Sequence, residues 1–163
     1  MDILKWLITM LMIAGFRNGV NTEIIPQDLQ KECIEEYVMK IIAEGDYDIH
    51  PAFILAIIER ESGYKWQAQN GVHIGLMQIN PQYQTARMEK LGVEDLGACA
   101  YDNIKVGIDY VDALFNMYPN SPIDVLNCYN SGSTDGFAHE YSIDVLDRYY
   151  RIQHEMWDKY EGW

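Results

Sequence analysis

Beyond Gly19, apolar residues recur at helical spacing along almost the whole chain, and no run alternates in the manner of a strand. This restricts the fold to a mostly α domain. Leu29, Cys33, Ile34, Tyr37, Val38, Ile41 and Ile42 share one face of a run opened by Pro26-Gln27-Asp28 and closed near Gly45. His50-Pro51 opens the next helix, with proline at an early position and Phe53, Ile54, Ile57 and Ile58 as its apolar body. That run stops at Gly63. A further helix is predicted over residues 103–118, with Ile104, Ile108, Val111, Leu114 and Phe115 inward. Ser121-Pro122 supplies an N-cap and a first-turn proline for a short helix ending in Cys128-Tyr129-Asn130-Ser131-Gly132. Residues 132–136 form a turn cluster. The last helix is predicted over residues 141–160, with Val145, Leu146, Tyr149, Met156 and Trp157 as core. Residues 63–84 mix polar, aromatic and glycine residues with weak periodicity, which predicts a loop-rich segment with one short helix.

The 163 residues suit one domain with a single sizeable core, and an apolar content of 48% argues against disorder. Twelve tyrosines and four tryptophans serve either that core or a groove. The net charge of −13 disfavours unaided binding to nucleic acid or to anionic lipid, so an anionic ligand would need local neutral hydrogen bonds. Cys33, Cys99 and Cys128 are odd in number and lack CxxC spacing; they make no disulfide framework, with one pair left open. His50, His73, His139 and His154 lack zinc-site spacing, and no metal or cofactor is expected. Residues 1–20 stand apart as an apolar segment ahead of a catalytic-sized domain at 21–163. The stretch from Ile3 to Phe16 is too short to span a bilayer comfortably. Its length fits the apolar part of an export signal, although Asp2 spoils a basic leader; a buried first helix is the other reading.

Glu61 ends the apolar helix, in Ile57-Ile58-Glu59-Arg60-Glu61-Ser62-Gly63, and no acidic residue lies between Ser62 and Met88. A carboxyl beside Ile57, Ile58 and nearby aromatics is partly desolvated, which favours its neutral form and suits a general acid. The usual glycosidase requires a second carboxylate. Glu59, two residues back, points to another side of the helix. Taken alone, Glu61 reads as a surface carboxylate paired with Arg60 or Lys65. Three clusters alter that weighing. Gly75-Leu76-Met77-Gln78 combines a glycine that lets the backbone come close to a ligand with an amide able to bind an acetamido or hydroxyl group. Tyr129-Asn130 adds an aromatic face and a second amide at a helix end. Tyr141 adds a phenol.

In this order the clusters resemble the lytic transglycosylases of the soluble-lytic-transglycosylase type. Glu61-Ser62 looks like the first motif of that family and Gly75-Leu76-Met77-Gln78 like the second. Cys128-Tyr129-Asn130-Ser131-Gly132 resembles the third, usually Ala-Tyr-Asn-Ala-Gly. Tyr141 before Val145-Leu146 and Tyr149 resembles the fourth, and Asp102-Asn103-Ile104 with Gly107 and Tyr110 resembles the intervening helix. The similarity spans about residues 48–152. Tyr64-Lys65-Trp66 replaces the common Phe-Asn-Pro, and Cys128 replaces alanine. The short interval from Asn130 to Tyr141, with Gly136-Phe137 inside it, is similar to members from conjugation and secretion systems.

The resemblance implies a goose-type-lysozyme-like helical fold that cleaves the β-1,4 bond between N-acetylmuramic acid and N-acetylglucosamine in peptidoglycan without water. Glu61 would protonate the glycosidic oxygen and then, as carboxylate, take the proton of the muramoyl C6 hydroxyl as it closes a 1,6-anhydro ring. Ser62, Gly75, Met77, Gln78, Tyr129 and Asn130 would contact the glycan strand, and Tyr141 would orient Glu61. The alternatives are a hydrolysing goose-type lysozyme and a non-catalytic glycan-binding module. The implied location is extracytoplasmic, or with a phage or mobile element, and the implied partners are glycan strands and a secretion, conjugation or phage assembly.

Overall fold

The computed structural model describes residues 27–134 and 139–160. The apolar stretch from Ile3 to Phe16 and the pair Gly136-Phe137 lie outside them. The described elements, in order, are α1 (Gln27–Gly45), α2 (Pro51–Ser62), β1 (Gln69–Asn70), β2 (His73–Ile74), α3 (Pro81–Leu91), α4 (Ala100–Met117), α5 (Pro122–Ser131) and α6 (His139–Tyr160). The mostly α expectation is met, and the two short antiparallel strands make one small hairpin within the loop-rich segment.

The inner element is α2. Its first eight residues, from Pro51 to Ile58, are all buried, so this helix is apolar all round rather than amphipathic. Ile54, Leu55, Ile57 and Ile58 are fully buried, each worth about 1.5–3 kcal/mol of apolar transfer. That burial fixes where the polar end of the helix emerges. His50 caps its start, the ring Nδ1 accepting the Ala52 N–H at 3.1 Å, and burial lowers the imidazole pKa, in keeping with a neutral acceptor. At the other end Gly63 adopts a left-handed conformation and its N–H bonds the Glu59 carbonyl. The α2 helix packs most extensively on α6 and also on α1, while α4 is flanked by α1, α3 and α5.

Two expectations are corrected. The short helix of the loop-rich segment is the eleven-residue α3, which runs on to Leu91. Its one buried residue is the polar Gln84, and only Met88 and Leu91 pack, partly buried, against the core, so its apolar stripe is weak. Trp157, expected in the core, is 58% exposed. The inward face of α6 is set by Tyr141, Val145, Ile152 and Met156; the residue after Met156 lies about 100° further round the helix and faces outward.

A charged cluster joins α3 to α4. Asp109 is buried and binds Arg87, Lys90 at 2.9 Å and the Tyr47 hydroxyl at 3.1 Å. Burial alone would raise the Asp109 pKa; hydrogen bonds from Lys90 and Arg87, with their charges, outweigh it and hold the carboxyl below its usual range. A depressed carboxyl pKa gives stability that is complete above the unfolded value of about 4 and is lost as pH falls through the folded value. Asp109→Asn is therefore expected to cost about 2 kcal/mol at neutral pH, measured by urea unfolding, and progressively less in acid. An equal loss at neutral and acid pH would remove the charge from this account.

Candidate active site

The last turn of α2 carries Glu59 and Glu61 to different surroundings. Glu59 Oε1 accepts from Arg148 at 2.6 Å and Arg151 at 2.5 Å, both on α6. Its burial would raise the pKa, but these two guanidinium groups hold it below the usual range, as an ionised carboxylate. Glu61 is the reverse case. Burial raises its pKa, and the Tyr141 hydrogen bond and the charges of Arg60 and His73 offset that only in part. The surface pairing open to Glu61 is not formed: Arg60 pairs with Asp144 at 2.7 Å and lies over the Tyr141 ring. Two carboxyls on one helix are thus driven apart in pKa, the usual mark of one group kept as an acid.

Tyr141, in the first turn of α6, donates its hydroxyl to Glu61 Oε1 at 2.6 Å. The residue is buried, and desolvation together with the nearby Glu61 charge pushes its phenol pKa far up, so it remains a donor. Ser142 donates to Asn127 Oδ1 at 2.6 Å, tying α6 to α5 directly behind Tyr141. Ser62 turns its hydroxyl back to the Ile58 carbonyl at 3.0 Å.

The turn at residues 75–78 is held from α4. Ile74 and Ile79 exchange backbone hydrogen bonds at 3.0 Å, and Gly75 and Gln78 both have positive φ. Asn103 braces the turn from inside: its Nδ2 donates to the Ile74 carbonyl at 2.9 Å and its Oδ1 accepts the Met77 N–H at 2.9 Å. A Cβ on Gly75 would lie 2.3 Å from Asn103 Nδ2, so the close approach permitted by this glycine is to Asn103. Met77 is fully buried, and a Cβ on Gly107 would meet its sulfur at 2.2 Å. Met77 therefore faces the core, while its carbonyl accepts the Tyr129 hydroxyl at 2.7 Å. Gln78 directs its Nε2 to the Ala68 and Gly75 carbonyls at 3.0 and 2.9 Å, which leaves its Oε1 as the acceptor offered outward.

These elements enclose a cavity of about 360 Å³. His73, Gln78, Ile79 and Asn80 form part of its wall, Tyr83 and Gln84 come from α3, Tyr110 from α4, and residues 128–132 from the end of α5. Tyr110 and Tyr129 lie against each other at 5.4 Å, with Arg87 over the Tyr110 ring. Glu61 is not one of the lining residues, but it interacts electrostatically with two that are, Tyr129 and His73. No carboxylate is among the described residues lining the cavity.

The structure thus brings Gln78, Tyr129 and Asn130 together on one groove, joins Glu61 to Tyr141 outside its lining, and places Gly75 and Met77 behind it as support. Sequence reasoning assigned no role to Asn103, His73, Tyr83 or Gln84. Asn103 had a signal: a polar residue at an inward position, beside Ile104 and Gly107, on an otherwise apolar helix face.

Residues 39–140 match the transglycosylase SLT domain family. The fold is similar to that of the 70-kDa soluble lytic transglycosylase in its complex with bulgecin A, at 18% identity and a TM-score of 0.63 over 78% of this chain. It is also similar to the 70-kDa soluble lytic transglycosylase SLT70 from Escherichia coli, at 19% identity and a TM-score of 0.54 over 90% of this chain. The chain spans about a quarter of each of those proteins, 26% and 23%. With the family match covering well over half of its length, the chain belongs to the transglycosylase SLT domain family.

Proposed function

We propose that this domain is a peptidoglycan lytic transglycosylase acting on the β-1,4 bond between N-acetylmuramic acid and N-acetylglucosamine. The observation that carries the reading is the half-buried Glu61 carboxyl, bonded by Tyr141 at 2.6 Å, near a cavity whose described lining holds no carboxylate. With its pKa raised, Glu61 is a better proton donor near neutral pH than an ordinary glutamate. In the first half of the reaction its proton passes to the glycosidic oxygen and the C1–O bond breaks. In the second half the carboxylate takes the proton of the muramoyl C6 hydroxyl, whose oxygen bonds to C1 and closes the 1,6-anhydro ring. One group acts as acid and then base, and no water is consumed.

Gln78 Oε1 and the Asn130 amide are suited to accept from and donate to the sugar, and Tyr129 supplies a wall beside the scissile bond. Ser62 supports the end of α2. A substrate of this kind lies outside the cytoplasm, whether the domain is delivered by a cell, a phage or a mobile element. The short interval between Asn130 and Tyr141 favours work within a secretion or conjugation assembly, with a phage assembly as the other setting. The segment at residues 1–20 would serve export or anchoring, with 21–163 as the catalytic domain. No helix among the described residues is long and apolar enough to cross a membrane.

Digestion of purified sacculi should release anhydromuropeptides, identified by mass spectrometry. Products with reducing ends only would replace this reading with that of a hydrolysing lysozyme. Binding without fragment release would leave a glycan-binding module. The pH profile offers a second check. Tyr141→Phe removes a hydrogen bond that lowers the Glu61 pKa, so the carboxyl stays protonated to higher pH. The alkaline limb of kcat/KM should move upward, with a loss of rate of about tenfold as Glu61 loses its orientation. A limb that stays in place or moves toward acid would detach Tyr141 from the titration of Glu61.

A further inference from the structure

We propose that Tyr83 and Gln84 form a saccharide-binding position on the α3 wall of the groove, taking a β-1,4-linked N-acetylhexosamine by stacking on Tyr83 and hydrogen bonding to the Gln84 amide. The inference rests on a glycan being the substrate. Tyr83 is 83% exposed, although its backbone is fixed in the first turn of α3 by the Asn80 cap and Pro81. Single exposed aromatics are ordinary on a protein surface. Among the exposed large apolar residues described, which include Ile143, Tyr150 and Trp157 on α6, Tyr83 is the one on the wall of this cavity. A pyranose presents a face of C–H groups, and an exposed aromatic ring on a fixed helical backbone is a natural surface to receive it.

Its neighbour supplies the polar contact. Gln84 is only 9% exposed and lines the same cavity. Arg87 Nε donates to its Oε1 at 2.9 Å. Arginine carries donors only, so this bond fixes the orientation of the amide. Arg87 is itself fixed, binding the Asp109 carboxylate and, at 2.9 Å, the Asp109 carbonyl. The Gln84 –NH2 has no hydrogen-bond partner among the described residues, and it suits the carbonyl of an acetamido group or a ring hydroxyl. A neutral ring and a neutral amide also suit a chain of charge −13, because neither relies on the overall field.

The test is binding of chitotetraose to the Glu61→Gln protein by isothermal titration calorimetry. In that background Tyr83→Ala should weaken binding about tenfold, and Tyr83→Trp should restore it. Because Tyr83 is so exposed, circular dichroism of all three proteins should coincide. Equal affinity of the alanine variant and its parent overturns the inference, as does a tryptophan variant as weak as alanine, or a parent that does not bind. The proposed activity is judged separately, by release of anhydromuropeptides from sacculi by the unaltered protein; that result can fail or hold without changing the binding comparison.

Discussion

Glu61→Gln should lower release of anhydromuropeptides about a thousandfold, the usual range for removing a general acid and base. The substitution is close to isosteric, and the amide carbonyl still accepts the Tyr141 hydroxyl that now lies 2.6 Å from Oε1. What disappears is the transferable proton and, in the second half-reaction, the carboxylate that would receive one. Stability should change little, because burial already disfavours the charged form of Glu61. Circular dichroism and thermal unfolding alongside the activity assay make the comparison decisive. A Glu61→Gln protein that keeps its activity would place the acid elsewhere. Glu59→Gln is the useful contrast: it would remove the negative charge that Arg148 and Arg151 on α6 are paired with, an effect on how α2 and α6 are joined rather than on proton transfer.

Gly75→Ala should be the most damaging of the small changes in the groove. Gly75 has φ of +78°, where an L-residue costs roughly 1–2 kcal/mol. The added methyl would lie 2.3 Å from Asn103 Nδ2 and 2.6 Å from its Cγ, in a place with little freedom to yield. Asn103 cannot swing aside without releasing the Met77 N–H and the Ile74 carbonyl, and overpacking of this kind costs roughly 1–3 kcal/mol more. The sum, about 3 kcal/mol, corresponds to a fall in Tm of roughly 6–12 °C for a domain of this size. Gly92→Ala separates the two causes. Gly92 also has positive φ, at +68°, but a Cβ there meets nothing within 4 Å, so only the backbone penalty applies. Equal losses of Tm in the two variants would refute the steric role of Asn103. Activity should fall further in Gly75→Ala than in Gly92→Ala, because the turn also carries Gln78.

Much of this was legible in the residues. The burial of α2 follows from an unbroken apolar body, and its end from Gly63. The end of α5 at Gly132 was visible as a glycine at a change of pattern. The α3 helix was visible only in part, because its single buried side chain is an amide and only Met88 and Leu91 give hydrophobic periodicity something to follow. Trp157 was misplaced for a related reason: hydrophobicity says that a side chain favours burial, whereas the helix phase decides which way it points.

The sequence by itself determined the helical class, the position of Glu61 at the end of a buried helix, and the order of the polar clusters that follow. These are local properties, set by spacing, capping and the special conformations of glycine and proline. Tertiary structure alone decided which carboxyl is held ionised by arginines and which has its pKa raised by burial. It also turned Gly75 and Met77 into supports rather than walls, and placed Tyr83 and Gln84 on the groove. Those outcomes depend on partners far away in the chain, such as Tyr141, Arg148 and Asn103, and no local pattern encodes the distance between them.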